Sequence, residues 1–487
     1  MTIRLLAVST AANTDAALQE LLRQAGPEVE LALHLGNTES DYKASAVSRM
    51  NLRRGRRGHL TQDTHYTGLA HGLFMHPDYD ERVDEFIDHL HRRAEPFAHL
   101  PHPLRGFHEY WDYFHVLADV FAQRIADSGA THALFFNVPH LVHDTLVWQV
   151  ARAMGLPTLI VSQSLFPNRF ISMPTIEAYG RLRPDAQAAA PYPIQRGETL
   201  QHFYMKGIGQ QKQATGRISV RAVAQLMTFL LTKRKLKALN PLYVAGLLRR
   251  MQTIYGGLPD WRDPFARFFH EDSLDYFEHL LQFEDVQPDW SRRFVYFPLQ
   301  LQPEMTTSAL GGPFKDQALA IESLARMLPE DVAIYVKENP KQGAFMRGPM
   351  FFHRLRRIPN LVFMASHTST HELTARSEFV ASISGTVGWE AVRQGKPALV
   401  FGATWYADLP GVHRWREGLR LEDIVAAPPE HDALERAVGQ FLHHCHEGVV
   451  ERHYKTLVSD FDEARNARQV GAALHALLTG RTPTTFA

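Results

Sequence analysis

The sequence predicts an α/β protein built from two doubly wound parallel sheets with a helical segment between them. Strand-length apolar runs alternate with stretches of helical periodicity in both halves, the pattern that layered α/β folds require. At 487 residues the chain is too long for one core, and two domains of roughly 150–250 residues are expected. Several runs end directly in short polar loops with Gly or Pro, as connections do at the ligand-binding edge of such sheets. The expected layout is a Rossmann-like lobe at 1–200, a helical connection or insertion at 201–290, a second Rossmann-like lobe at 291–430 and C-terminal helices at 431–487.

In chain order, Ile3–Val8 reads as a buried strand, Asp15–Gln24 as a helix and Val29–Leu35 as a second strand. Arg53, Arg54, Arg56 and Arg57 around Gly55 lie outside any core. Apolar spacings of three and four predict helices over Asp80–His91 and Trp111–Ser128. Strand Ala133–Phe136, loop Asn137–His143, helix Asp144–Met154 and strand Thr158–Val161 form a tight unit, with a turn at Gly155-Leu156-Pro157. In the middle, an Ala/Pro-rich stretch (Ala188–Tyr192) and a Gln-rich one (Gly207–Gly216) precede helices expected at Val220–Lys237, Pro241–Tyr255 and Pro264–Phe283. The second half offers strands Phe294–Pro298, Ala333–Lys337, Leu361–Met364, Phe379–Ile383 and Pro397–Phe401. Helices are expected there at Asp316–Met327 and His371–Arg376, and from Asp432 almost to Leu478.

Composition excludes several classes. Lys+Arg and Asp+Glu both total 52, so no global charge argues for nucleic acid. The single cysteine, Cys445, rules out a disulfide framework and a four-cysteine zinc site, and it fits a reducing cytosol. The first residues turn polar too soon for a signal peptide, and no apolar run approaches the ~20 residues of a membrane span. A soluble, cytoplasmic protein is expected. The 27 histidines are scattered, and His89 with His91, or His443 and His444 with His446, read better as surface or interface residues than as metal ligands. HExxH, EF-hand and paired Cys/His spacings are absent, so neither a metal nor a cofactor is expected.

Three strand-end loops carry the chemistry. At Phe379–Gly402 a strand, a small-residue turn and a short helix follow one another, with Ser382, Ser384, Gly385 and Thr386 at the junction. Free backbone N–H groups, a positive helix end and hydroxyls suit a phosphate there, and Glu390 one turn later suits ribose hydroxyls. Neither a P-loop nor a GxGxxG fingerprint is present, and close packing alone explains small residues at such a turn. In Leu299–Glu304, Gln302 and Glu304 suit a base or ribose while Pro303 stiffens the loop. In Val336–Lys341, Lys337 supplies charge for phosphate and Glu338 an acid, base or hydroxyl acceptor. A polar β-α loop with solvated charges is the plainer account of either loop alone.

Residues 297–307, 335–340 and 384–391 with Gly395-Lys396-Pro397 resemble bacterial capsule and surface-polysaccharide biosynthesis proteins, similar to Kdo-transferring enzymes. The resemblance covers roughly residues 290–410. It implies a GT-B glycosyltransferase without metal or cofactor, with a nucleotide-sugar donor in the C-terminal lobe and a saccharide or lipid-linked acceptor on the N-terminal one. Gln302-Pro303 matches the Gln-Pro motif of relatives with CMP-linked donors. Their His-Pro motif appears as Asn339-Pro340, which puts CMP specificity and an acid at that position in doubt. Lys337, Ser384 and Thr386 are the candidates for phosphate, and Glu304, Glu338 and Glu390 for ribose or base. A catalytic base is expected from the other lobe, with His140 or Asp144 after strand Ala133–Phe136 as candidates. A helix N-cap is the plainer role for Asp144, and a structural hydrogen bond for His140. Two alternatives stay open: a nucleotide-sugar epimerase of the same architecture, and a non-catalytic scaffold of polysaccharide assembly. The arginine cluster and the Lys233–Lys237 run read first as solvated surface, and second as contacts for an anionic acceptor or the inner-membrane leaflet.

Overall fold

A computed structural model describes residues 2–9, 11–35, 65–94, 107–183, 189–197, 216–259, 271–343 and 347–487. The expected arginine cluster at 53–57 and most of the Gln-rich stretch lie outside the described residues. The chain divides into two compact units. One comprises Met1–Leu90, Pro103–Pro191 and Val438–Ala487, the other His91–His102 and Tyr192–Ala437.

The described strands are β1 (Ile3–Val8), β2 (Val29–Leu35), β3 (His132–Phe135), β4 (Thr158–Gln163), β5 (Arg169–Met173), β6 (Phe294–Pro298), β7 (Ala333–Lys337), β8 (Leu361–Met364), β9 (Val380–Ser382), β10 (Ala398–Val400), β11 (Val412–Arg414) and β12 (His446–Glu447). The first unit has the order β2-β1-β3-β4-β5-β12. Its strands are parallel from β2 to β4, β5 runs antiparallel to β4, and β12 pairs antiparallel with β5. The expected α/β architecture is therefore present, with an antiparallel edge where an all-parallel sheet was expected. A tight turn through Asn168, at φ 54°, sends β5 back along β4. One face of this sheet (Leu5, Ala7, Leu134, Val161, Phe170) packs on helices Ala12–Ala25 and Glu463–Leu478 through Leu18, Leu21, Val470 and Leu474.

The C-terminal region is not one long helix. Helix His431–His444 stops before β12, a 3-10 turn spans Arg452–Leu457, and the chain restarts as helix Glu463–Leu478. Gly448 at φ 134° and Asp460 at φ 54° break the helical path, and Asp462 caps the new helix by accepting from Arg465 N at 2.5 Å. His446 and His89, read from sequence as surface or interface residues, are buried, and His446 Nε2 lies 2.7 Å from Ser172 Oγ.

The second unit's sheet is parallel throughout, in the order β8-β7-β6-β9-β10-β11. Numbered within the unit this is 3-2-1-4-5-6, the doubly wound dinucleotide-fold order, whose direction of winding reverses between β6 and β9. Residues alternate between its faces. Val295, Phe297, Val336, Ala381 and Leu399 face a core that includes helices Val220–Lys233, Pro241–Gly257, Glu271–Leu281 and Gln317–Met327. Phe294, Tyr296, Tyr335 and Val380 face Leu373, Val387 and Ala391 on the other side. Asp316, expected inside a helix, is its N-cap and accepts from Ala318 N at 3.1 Å.

Candidate functional site

In open α/β sheets ligands collect outside the carboxyl ends of the strands, where the winding reverses. In the second unit that point lies between β6 and β9, so the loops carrying Gln302 and Ser384 flank it. They are tied together. Ser384 Oγ donates to Thr306 O at 2.5 Å, and Gln300 Nε2 donates to Ser382 Oγ. Glycine at 385 suits this approach, because a Cβ there would stand 2.4 Å from Gln300 Nε2 and 3.2 Å from Ser382 Oγ, and the buried Gln300 amide would have to shift. Tyr406 donates its hydroxyl to Gly385 O from the outside.

The β6 loop is braced by four buried glutamines. Gln300 N donates to Gln317 Oε1 at 2.7 Å, and Gln317 Nε2 donates to Gln302 Oε1 at 2.9 Å. Gln302 Nε2 donates to Lys315 O at 2.7 Å, and Gln302 N to Gln342 Oε1 at 2.9 Å. Both ends of the Gln302 amide thus meet protein partners, and this residue shapes the loop ahead of the buried Pro303. Glu304 is half-buried and opens the turn Met305–Ala309, its N–H donating to Thr307 Oγ1 at 3.2 Å.

Lys337 and Glu338 leave the end of β7 toward opposite faces. Lys337 is buried and donates to Thr368 O at 2.6 Å and Thr370 Oγ1 at 3.1 Å. Thr370 also bonds Tyr296, whose hydroxyl is pushed up in pKa by burial, with the charge of nearby Glu390 adding to the effect. Lys337, Thr370, Tyr296 and the buried Glu390 therefore form one polar layer beneath helix Val387–Arg393. Thr386, half-buried at the start of that helix, makes no side-chain cap bond.

On the opposite face, Glu338 forms an ion pair with Arg347, the largest fully buried side chain among the described residues. Arg347 Nη2 also donates to Gln300 O, and the guanidinium lies 5.4 Å from the Phe351 ring centre. Glu338 Oε1 accepts from Asn339 N at 2.6 Å. Three buried polar atoms here have no hydrogen-bond partner: Glu338 Oε2, Arg347 Nε and Gln300 Oε1. Unpaired groups of this kind are costly and mark sites that a further polar group can complete. Arg347 escaped sequence reasoning. It follows no strand, and the only signal nearby is Gly348-Pro349, which starts helix Pro349–Arg356.

In the first unit His140 lies in the loop after β3 and Asp144 in the helix that follows it. Asp144 is not the N-cap: Val142 holds that position, and Asp144 sits in the first turn of helix His143–Ala153. Its carboxylate accepts from His140 N at 3.1 Å, Leu141 N at 2.6 Å and Thr145 N at 2.7 Å. Val142, at φ 81° and ψ −73°, centres a strained γ-turn closed by His143 N donating to Leu141 O at 3.1 Å. His140 Nδ1 lies 2.6 Å from Val138 O, so Nδ1 is the donor to that carbonyl. Among the described residues no group of three or more His, Cys, Asp or Glu is arranged to hold a metal ion, and no helix is long and apolar enough to cross a membrane.

Residues 274–434 match the sequence family described as capsule polysaccharide biosynthesis protein, which takes in all three strand-end loops and Arg347. The chain is thus similar to the family that its motifs resemble. Among solved structures, a β-Kdo 2,7 transferase, KpsC of Thermosulfurimonas dismutans, is 11% identical, with 97% of this chain and 99% of that one covered and a TM-score of 0.34. A β-Kdo 2,4 transferase, also described as KpsC of that organism, is 14% identical over 66% of this chain and 82% of that one, with a TM-score of 0.29. The UDP-GlcNAc 2-epimerase of Neisseria meningitidis, solved with UDP-GlcNAc, is 10% identical over 99% of this chain and 100% of that one, with a TM-score of 0.19. No curated protein sequence matches the chain.

Proposed function

We propose that this protein is a cytoplasmic glycosyltransferase of GT-B type in capsule or surface-polysaccharide biosynthesis, moving a sugar from a nucleotide donor to a saccharide or lipid-linked acceptor. The observation that carries the reading is the reversal point between β6 and β9. Two loops tied to each other there combine a hydroxyl-bearing turn with a buried arginine, carboxylate and amide that keep unpaired atoms. The family match over the same residues supports it. In this reading Thr386 and the Lys337 layer stabilise the leaving nucleotide phosphate, as transfer without metal requires, while Gly385, whose N–H donates to Ser382 Oγ at 3.1 Å, shapes the turn. Glu304, Glu338 and Glu390 serve ribose or base, while Gln302, Pro303 and Ser384 hold the loops in register. For the base that takes the acceptor proton, His140 of the first unit is the candidate, with Asp144 holding its backbone N–H. CMP-Kdo is the first donor to test.

Thermal midpoints with CMP, UDP, GDP and dTDP identify the nucleotide, because a ligand of the folded state raises the midpoint. Nucleotide release from CMP-Kdo, UDP- and GDP-sugars is then followed with and without a lipid-linked saccharide. Release only with acceptor is the expected result. Conversion of the sugar without acceptor would make the protein an epimerase, and no turnover with any donor would leave an assembly scaffold.

A further inference from the structure

One region of the second unit takes no part in the proposed site and is built unlike the rest of the chain. From residue 199 to residue 259 the sequence holds no Asp or Glu but ten Lys or Arg, in a chain that carries 52 acidic residues among 487. The described part contains helices Val220–Lys233 and Pro241–Gly257 and the turn that joins them. Ala222, Leu226, Phe229 and Leu230 bury one face of the first helix in the core. Its outward face is apolar as well. Val220, Val223, Met227 and Leu231, spaced by three, four and four, are 86%, 43%, 49% and 60% exposed. The stripe continues through Leu236, Leu239 and Leu242, each at least 80% exposed.

A helix that is apolar all round is normally enclosed on every side. An exposed apolar face bordered by cations, with every carboxylate excluded, is instead the pattern of segments that lie in a membrane interface. Arg221, Arg234, Lys235 and Arg249 are exposed at the border, and Lys237 stands 5.2 Å from the Tyr243 ring centre. Arg250 is the exception, since Asp275 and Glu278 of the neighbouring helix neutralise it. We propose that this face docks on an anionic lipid bilayer. The apolar stripe enters the headgroup boundary, and the flanking lysines and arginines contact anionic headgroups. This surface is independent of the nucleotide site and stands whether or not the glycosyltransferase reading holds.

The full-length protein is sedimented with vesicles of phosphatidylcholine alone and with 30% (about one lipid in three) phosphatidylglycerol, at low and high salt. Two variants accompany it: Leu236→Ser with Leu239→Ser and Leu242→Ser, and Lys235→Gln with Lys237→Gln. These side chains lie on the surface, so the thermal midpoint should match wild type and certify folding. Binding confined to anionic vesicles is expected, weakened by salt, by about fivefold for each cation removed and by tenfold or more in the leucine variant. Failure of the wild type to bind, or equal binding by folded variants, would overturn the proposal. So would self-association in sedimentation that the leucine variant abolishes without any lipid binding, because the face would then join two copies of the chain.

Discussion

Replacing Arg347 by methionine tests whether a buried charge pair holds the second unit's loops together. The Arg347 side chain is 0% exposed and that of Glu338 5%, so water cannot substitute for either. Methionine retains much of the length and can still pack on Phe351, but it loses the bonds to the Glu338 carboxylate and the Gln300 carbonyl. Hydrogen bonds to charged groups contribute about 1.5–3 kcal/mol each. The carboxylate is left with Asn339 N–H at 2.6 Å. Removing one member of a buried pair typically costs about 3–5 kcal/mol, and that is the expected loss. Adding Glu338→Gln removes the orphaned charge and should recover most of it, leaving the double variant within about 1–2 kcal/mol of wild type. Because two units need not unfold together, amide exchange of β6 and β7 strand residues measured along a urea series is the appropriate readout. A cost below about 1 kcal/mol for the single variant, or a double variant as unstable as the single one, would refute the reasoning.

Three further outcomes follow from the same geometry. Gly385→Ala forces a Cβ to within 2.4 Å of the buried Gln300 amide. It should cost about 1–3 kcal/mol by urea denaturation, and a neutral result would mean the two loops separate easily. Thr386→Val removes a hydroxyl that makes no cap bond, so the thermal midpoint without nucleotide should stay put. Stabilisation by the cognate nucleotide, about 2.7 kcal/mol at a hundred times its Kd in wild type, should vanish, and its retention would remove Thr386 from the site. His446, whose pKa burial pulls down to about 4, stays neutral in the folded protein while the unfolded chain takes up its proton first as pH falls. Its contribution is full above pH ~6.5 and declines by about 3 kcal/mol toward pH 4. Stability should therefore fall more steeply over that window in wild type than in His446→Gln, and equal slopes would contradict the assignment.

Most strands were legible because they are short apolar runs bounded by turns. β1, β2, β6, β7 and β8 fall where the periodicity puts them. Three strands were not, and one of them, β5, lies inside its sheet. β5, β11 and β12 are short and partly polar, and their strand state depends on neighbours far away in the chain, as in the pairing of His446 with Phe170. At the candidate site, the polar residues directly after apolar strands lie at the carboxyl edge of the second sheet. Which of them remain unpaired could not be read. Gln302, Ser384 and Asp144 look like ligand groups in the sequence, yet their hydrogen-bonding atoms hold loops in place. Arg347, nine positions beyond its partner Glu338, comes into the cluster only through tertiary packing.

The return of Val438–Ala487 to the first unit has a consequence for synthesis on the ribosome. All six described strands of the second sheet have been made once Arg414 has emerged, whereas the first sheet still awaits β12. It also lacks helix Glu463–Leu478, whose Gly471 lies so close to helix Ala12–Ala25 that a Cβ would stand 2.8 Å from Leu21 N. The lobe that holds β1 and β2 is therefore closed later than the second one. Leu18, Leu21 and the β1 face that they share with Val470 and Leu474 stay uncovered through most of elongation. A nascent chain in that state presents the apolar surface that chaperones bind, and fragments ending before residue 438 should accumulate as aggregates while the second unit within them folds.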